Sequence, residues 1–206
     1  MSKQNSILIV WDADGVLIDS REVAWKCAEQ ILSLFGLSIS ITNQEEYRKC
    51  LGVNQASPWF SEAECATLRE LHRMLMKRSG KLVRVVEDVA EMAGRLAEPS
   101  VVVTSAYASY VHEALAERGK FFNRISGKEE GKKSEILQKL VEEGYRMILG
   151  ITDTTTDVKR YQKLGIKPIL VTWGYETAND ARDGNPGVVC VSNVSALEST
   201  IREILG

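Results

Sequence analysis

The chain is poor in the residues that build soft-metal sites and covalent frameworks. It has two histidines, His72 and His112, and four cysteines, Cys27, Cys50, Cys65 and Cys190, with no CxxC pair among them. That scatter supplies neither a zinc cluster nor a disulfide scaffold, so the cysteines read as packing residues in a reducing compartment. No apolar run approaches the roughly 20 residues that cross a bilayer. The amino terminus, Met-Ser-Lys-Gln-Asn-Ser, lacks the apolar stretch and cleavage site of a signal peptide. A cytoplasmic location is the expectation. Charge of one sign is also missing: 26 basic residues against 28 acidic leave a formal net charge of −2. No broad field exists to gather nucleic acid or an anionic membrane, and neither is expected as a partner. Internal repeats and low-complexity stretches are absent.

What remains is an ordinary globular composition, 44% hydrophobic and 26% charged over 206 residues, sufficient for one domain or for a main domain carrying an insertion. Residues 6–11 form a short, nearly continuous apolar run, the pattern of a strand buried on both faces of a parallel sheet. Ser20 is placed to cap a helix over 21–35 that Gly36 ends. From 43 to 97 helical periodicity repeats without a convincing strand, at 44–51, 61–78 and 85–96, with a loop at 52–60 holding Pro58, Trp59 and Phe60. Strand patterns then return at 100–104, 147–151, 168–173 and 188–191, with a short one at 121–125. Helical patterns at 107–118, 133–143, 158–164 and 194–205 separate them. This alternation predicts an α/β fold with a doubly wound, parallel, Rossmann-like sheet. Residues 1–18 and 98–206 form the core domain, and residues 19–97 form a helical cap inserted after the first strand.

Ligands of such sheets bind beyond the carboxyl ends of the strands, and those ends carry the chemistry here. Asp12 and Asp14 follow the first strand; Thr104 and Ser105 follow the second; Asp153, with Asp157 four residues on, follows the third. Lys132 and Lys133 stand just before a helix. Each feature alone has a bland reading. Asp-Ala-Asp-Gly is a plausible acidic turn, an aspartate commonly caps a helix, and surface lysines are usually solvated. Together they point elsewhere. Four carboxylates converging without a cation would repel one another strongly. Oxygen donors without histidine or cysteine suit Mg2+, which accepts few protein ligands and keeps waters that a phosphate oxygen can replace. Hydroxyls at 104 and 105 and a lysine complete a cradle for a phosphoryl group.

These residues resemble the haloacid dehalogenase-like superfamily over essentially the full chain. Asp12-Ala-Asp-Gly-Val-Leu-Ile-Asp-Ser20 is similar to its first motif, DxDGVLxDS. Val101-Val-Val-Thr104-Ser105 resembles the second, and a lysine before a helix the third. Asp153 and Asp157 resemble the fourth, GDxxxD, and Trp173-Gly-Tyr the segment that follows it. An insert between the first two motifs is the position of a type-1 helical cap, as in the phosphoglycolate phosphatase-like branch. Two departures stand out: Thr152 replaces the glycine before the fourth-motif acid, and no Lys-Pro pair singles out Lys133 over Lys132. Lys133 is favoured because it lies closer to the helix start.

The resemblance implies a Mg2+-dependent phosphomonoester hydrolase acting on a small phosphorylated metabolite through an aspartyl phosphate. It assigns catalysis to Asp12 as nucleophile, Asp14 as acid and base, Thr104 and Lys133. It assigns the metal to Asp12, Asp14, Asp153 and Asp157, and phosphate or substrate contacts to Gly15, Thr104, Ser105 and Lys133, with Arg48 and Trp59 from the cap. Trp25 and Tyr47 read as cap core. The acid at position 14 favours phosphoryl transfer over dehalogenation, which needs no proton for an alkoxide. A phosphomutase with the same acids and a non-catalytic phospho-ligand-binding protein are the alternatives. A response-regulator receiver fits less well, because it lacks a helical insert.

Overall fold

A computed structural model describes residues 6–53, 55–176 and 187–206; most of the amino-terminal stretch read for a signal peptide lies outside them. Six strands form one parallel sheet: β1 (Ile7–Trp11), β4 (Ser100–Val103), β5 (Arg124–Ser126), β6 (Met147–Thr152), β7 (Lys167–Val171) and β8 (Val189–Val191), in the order β5-β4-β1-β6-β7-β8. The order reverses between β1 and β6, where an open sheet of this kind leaves its binding crevice.

β1 is buried along its whole length because its two faces serve different cores. Ile9 and Trp11 enter one cluster with Val102, Leu149 and Ile151; Leu8 and Val10 enter another with Val101, Val103 and Ile148. Alternation with period two divides a continuous apolar run between two helix layers. Helices α4 (Glu87–Arg95), α5 (Ala108–Leu115) and α8 (Val194–Leu205) cover the first face; α6 (Lys133–Glu142) and α7 (Thr155–Lys163) cover the second.

The insertion leaves and re-enters the core through two short strands, β2 (Ile18–Asp19) and β3 (Arg84–Val85), paired antiparallel as a stem. Above them, α1 (Arg21–Leu34), α2 (Gln44–Leu51) and α3 (Glu62–Met76) bury Ala28, Ile31, Leu32, Ile41, Cys50, Leu51 and Leu68 together. Asn43 caps α2 by accepting from the Glu46 amide at 2.9 Å, and Gly52, at φ 60°, ends it. Sequence patterning grouped residues 85–96 with this helical block. Packing groups α4 with the sheet, since Val89, Ala90, Met92 and Ala93 lie in the same cluster as Ile9 and Trp11. Helical periodicity reports that a face is buried, not against what. Cys27, Cys50 and Cys65 are buried and Cys190 is exposed on β8. No helix among the described residues is long and apolar enough to cross a membrane.

Candidate active site

Asp12 follows β1 and Asp153 follows β6, so the two carboxylates flank the reversal point. The Asp12 amide donates to the Ile151 carbonyl at 2.9 Å, which continues the β1–β6 ladder up to the acid itself. Lys133, the first residue of α6, is 5% exposed; its ammonium lies 2.7 Å from Asp12 Oδ2 and 2.6 Å from Asp157 Oδ2. Of the two lysines, Lys132 occupies the N-cap position and Lys133 is the buried one. Burial is the largest influence on the Lys133 pKa and lowers it, but the charge and hydrogen bond of Asp12 together with Tyr161 more than offset it and hold the ammonium above its ordinary value. Asp12 is pushed up by burial and by Asp153, against the pull of Lys133.

Asp157 has both oxygens engaged, one by Lys133 and one by Arg160. It stands behind Lys133 as a counter-charge. The α7 amino terminus begins three residues earlier than patterning suggested, because Thr154, not an aspartate, caps it by accepting from the Asp157 amide. Thr152 is buried at the end of β6. Its hydroxyl donates to Asp12 Oδ2 at 3.5 Å, a long and weak contact, and accepts from the Thr154 amide at 3.4 Å. The departure from glycine therefore places a hydroxyl beneath the acid without displacing it.

Asp14 sits where the floor meets the cap, and its Oδ1 accepts from the Tyr110 hydroxyl at 2.9 Å. Burial raises its pKa against hydrogen bonds from Ser20 and Tyr110, which favours a proton on the acid. Ser20 makes no cap bond to α1, contrary to the sequence expectation; its hydroxyl pairs with the Tyr175 hydroxyl at 2.8 Å. Thr104 is buried at the β4 end, its Oγ1 accepting from the Ala106 amide at 3.0 Å, and Ser105 beside it is exposed.

Asp153 is 1% exposed, and burial pushes its carboxyl up to about 7 while the Tyr175 amide, donating at 2.7 Å, pulls it down. Its seat exists because Gly15 and Gly174 have no side chain. A Cβ at either position would overlap the Asp153 carboxylate, and Gly15 also adopts φ 77°. No group of three or more His, Cys, Asp or Glu side chains converges on a metal position among the described residues. Two carboxylates plus backbone oxygen are a thin donor set for zinc but suit Mg2+, which is commonly held by one or two carboxylates and waters. The buried acids at 12 and 153, costly when charged together, fit such a cation.

Beyond Asp14 the crevice widens into a cavity of about 410 Å³ between core and cap. Gln44, Tyr47 and Arg48 of α2 line it from the cap, and Tyr107, Tyr110 and Tyr175 from the core. Arg48 reaches across to Glu176 at 3.1 Å, and Glu176, 6% exposed, also accepts from the Thr155 amide at 2.6 Å. On another side Glu70 of α3 takes Lys128 of the core at 2.6 Å. Trp59 is 45% exposed and does not line the cavity; its neighbour Phe60 anchors the cap core against Phe35. Tyr47 packs beside the cap core and lines the cavity as well. Sequence reasoning missed Tyr110, Arg160 and Glu176, which carry no motif; Tyr175 was visible only as part of Trp173-Gly-Tyr.

The family model for haloacid dehalogenase-like hydrolases matches residues 9–171. Solved structures of similar fold include a protein described as a predicted phosphatase from Clostridium acetobutylicum, with TM-score 0.77, 19% identity, and 97% of this chain and 99% of that one covered. A haloacid dehalogenase-like family protein from Streptococcus pneumoniae follows at TM-score 0.71 and 18% identity, covering 100% of both chains. CbbY from Rhodobacter sphaeroides in complex with phosphate gives TM-score 0.65 at 14% identity, over 90% of this chain and 92% of that one. No match was found among curated proteins. Strand order, the acids at its reversal point and a family match across most of the chain agree: this chain belongs to the haloacid dehalogenase-like hydrolases.

Proposed function

We propose that the protein hydrolyses a small phosphomonoester, with Mg2+, through an aspartyl phosphate on Asp12. The observation that carries the reading is the placement of Asp12 and Asp153 across the sheet's reversal point, with buried Lys133 bonded to Asp12. The Clostridium protein's description as a phosphatase and the phosphate held by CbbY lend support.

In this reading Asp12 attacks phosphorus as the ester oxygen leaves, and Asp14 gives that oxygen its proton. Asp14 then takes a proton from water as the water attacks the aspartyl phosphate, releasing phosphate and restoring the Asp12 carboxylate. Lys133, Thr104 and Ser105 offset charge on the transferring oxygens, and the backbone turn at Gly15 admits them. Asp157 and Arg160 keep the lysine aimed. Asp12, the backbone carbonyl of Asp14 and Asp153 would hold the Mg2+; Asp157, expected among the ligands, has its two oxygens taken by Lys133 and Arg160 and serves the lysine instead. When bound, the ion neutralises the phosphate and the two buried acids. The cap covers the crevice and excludes water from it.

Phosphate release from p-nitrophenyl phosphate, with Mg2+ or with chelator, tests the reading. Asp12→Asn is expected to lose on the order of a thousandfold or more in kcat while keeping its far-ultraviolet spectrum. Near-wild-type turnover by that variant rules Asp12 out as nucleophile.

A further inference from the structure

Resting on that phosphatase reading, we infer that Tyr110 is the positioning residue of the acid: its hydroxyl clamps Asp14 to the core built around the sheet and so aligns the proton that goes to the leaving alcohol. The inference starts from a hydroxyl that packing does not need. Tyr110 is 1% exposed and lies in the apolar cluster that holds Trp11, Val16 and Leu115. A phenylalanine would fill that place, and a hydroxyl taken there out of water is unfavourable without a partner. Tyr110 Oη finds its partner in Asp14, to whose Oδ1 it donates at 2.9 Å across 96 positions of sequence.

The acid needs such a clamp because of where its backbone runs. Asp14 pairs with Ile18, the first residue of β2, so its main chain belongs to the segment that leads into the stem of the helical insertion. The Asp12 amide is instead held by the β1–β6 ladder. Two groups that act on one phosphoryl group are thus carried by different parts of the chain. Tyr110 comes from α5, which packs on the same sheet face as Trp11. Its bond to Oδ1 ties the acid back to the frame that holds the nucleophile. The nearby Ser20 and Tyr175 hydroxyls pair with each other at 2.8 Å, and either can donate; a phenol facing a carboxylate can only donate. As an Asp12 oxygen bonds phosphorus, the P–O bond of the ester breaks with its electron pair on the ester oxygen, which takes the Asp14 proton. A carboxyl left to rotate spends less time aligned for that transfer.

The test compares kcat/KM of wild type and Tyr110→Phe, with Mg2+, on p-nitrophenyl phosphate, phenyl phosphate and whichever of glucose 6-phosphate, glycerol 3-phosphate and 2-phosphoglycolate the wild type hydrolyses fastest. This ratio reports departure of the leaving group and not the later breakdown of the aspartyl phosphate, which all the esters share. Nitrophenolate leaves without a proton, whereas an alkoxide needs one. The variant is expected to lose about threefold on the nitrophenyl ester and about thirtyfold on the alkyl ester, with phenyl phosphate between, a part of the roughly 10²–10⁴-fold that a general acid supplies. In an Asp14→Asn background the same substitution is expected to change kcat/KM for phenyl phosphate by less than about twofold, because it acts through the carboxyl. Tyr110→4-aminophenylalanine keeps a donor at the hydroxyl's place and should recover most of the loss on the alkyl ester. If the Phe variant does not fold, that weaker donor carries the test alone, with a smaller loss in the same order of esters. An equal loss on every ester, or a loss that persists beside Asp14→Asn, makes Tyr110 a packing residue and overturns the inference while the phosphatase reading stands. If the wild type releases phosphate from no ester, both fail.

Discussion

The catalytic floor and the cavity wall above it follow opposite rules. On the floor nearly every polar atom is already spoken for within the core: Asp12 by Lys133 and the Ala13 amide, Asp153 by the Tyr175 amide, Asp157 by Lys133 and Arg160. The residues sit at strand ends whose positions the sheet ladder dictates. The wall is mixed. Arg48–Glu176 ties it across the crevice, Glu70–Lys128 joins the same two parts of the chain beside it, and Gln44 Oε1 is buried with no hydrogen-bond partner among the described residues. A floor saturated with its own contacts keeps one geometry for the chemistry. A wall hung on a two-stranded stem, with contacts that cross between domains, is where substrate identity can be read without disturbing that geometry.

Breaking the floor should cost most. Lys133→Met leaves two buried carboxylates without their shared cation, and the expected loss is about 3–5 kcal/mol of stability together with most of the activity. A urea midpoint little changed in that variant would mean that the floor relaxes more than the contacts imply. Gly174→Ala is a sharper cut, since its Cβ would collide with Asp153 and with the Gly15 carbonyl beside it. We expect about 1–3 kcal/mol of destabilisation and a weaker shift of thermal unfolding by Mg2+. An unaltered Mg2+ response would remove Asp153 from the metal set.

The cap yields a pH test. His72 is buried, and desolvation holds its pKa below the ordinary 6.5, against the pull of the Ala24 carbonyl its ring nitrogen meets at 2.9 Å. The unfolded chain therefore binds a proton that the folded cap resists. Stability is full above about 6.5 and declines as pH falls toward the lower folded value. His72→Gln, which keeps a donor for Ala24, should flatten that decline in denaturation curves between neutral and mildly acidic pH. A curve as steep as wild type would rule His72 out as its source, since the floor acids Asp12, Asp14 and Asp153, held above their ordinary values by burial, act in the opposite direction. The smallest effect is expected at Thr152. Replacement by glycine removes a 3.5 Å contact to Asp12 and costs about 0.5–1 kcal/mol through strand entropy, with turnover within about threefold of wild type. A larger drop in kcat at unchanged KM would make the Thr152 hydroxyl part of the nucleophile's positioning.

The sequence by itself determined the sheet, its helices and the acids of the floor, because a buried parallel strand is a local apolar run and its carboxyl end is where the run stops. Asp12, Thr104 and Asp153 are therefore next to signals that a reader can see. The tertiary structure alone decided which lysine turns inward, that α4 packs on the sheet, that Ser20 serves Tyr175 instead of α1, that Trp59 stays outside, and that Tyr110, Glu176 and Gln44 meet around one cavity. Those outcomes depend on the rotation of each helix about its axis and on loops returning from distant parts of the chain. Neither leaves a local pattern: a helix register differs by one residue between Lys132 and Lys133, and Arg48 lies 128 positions from the glutamate it reaches.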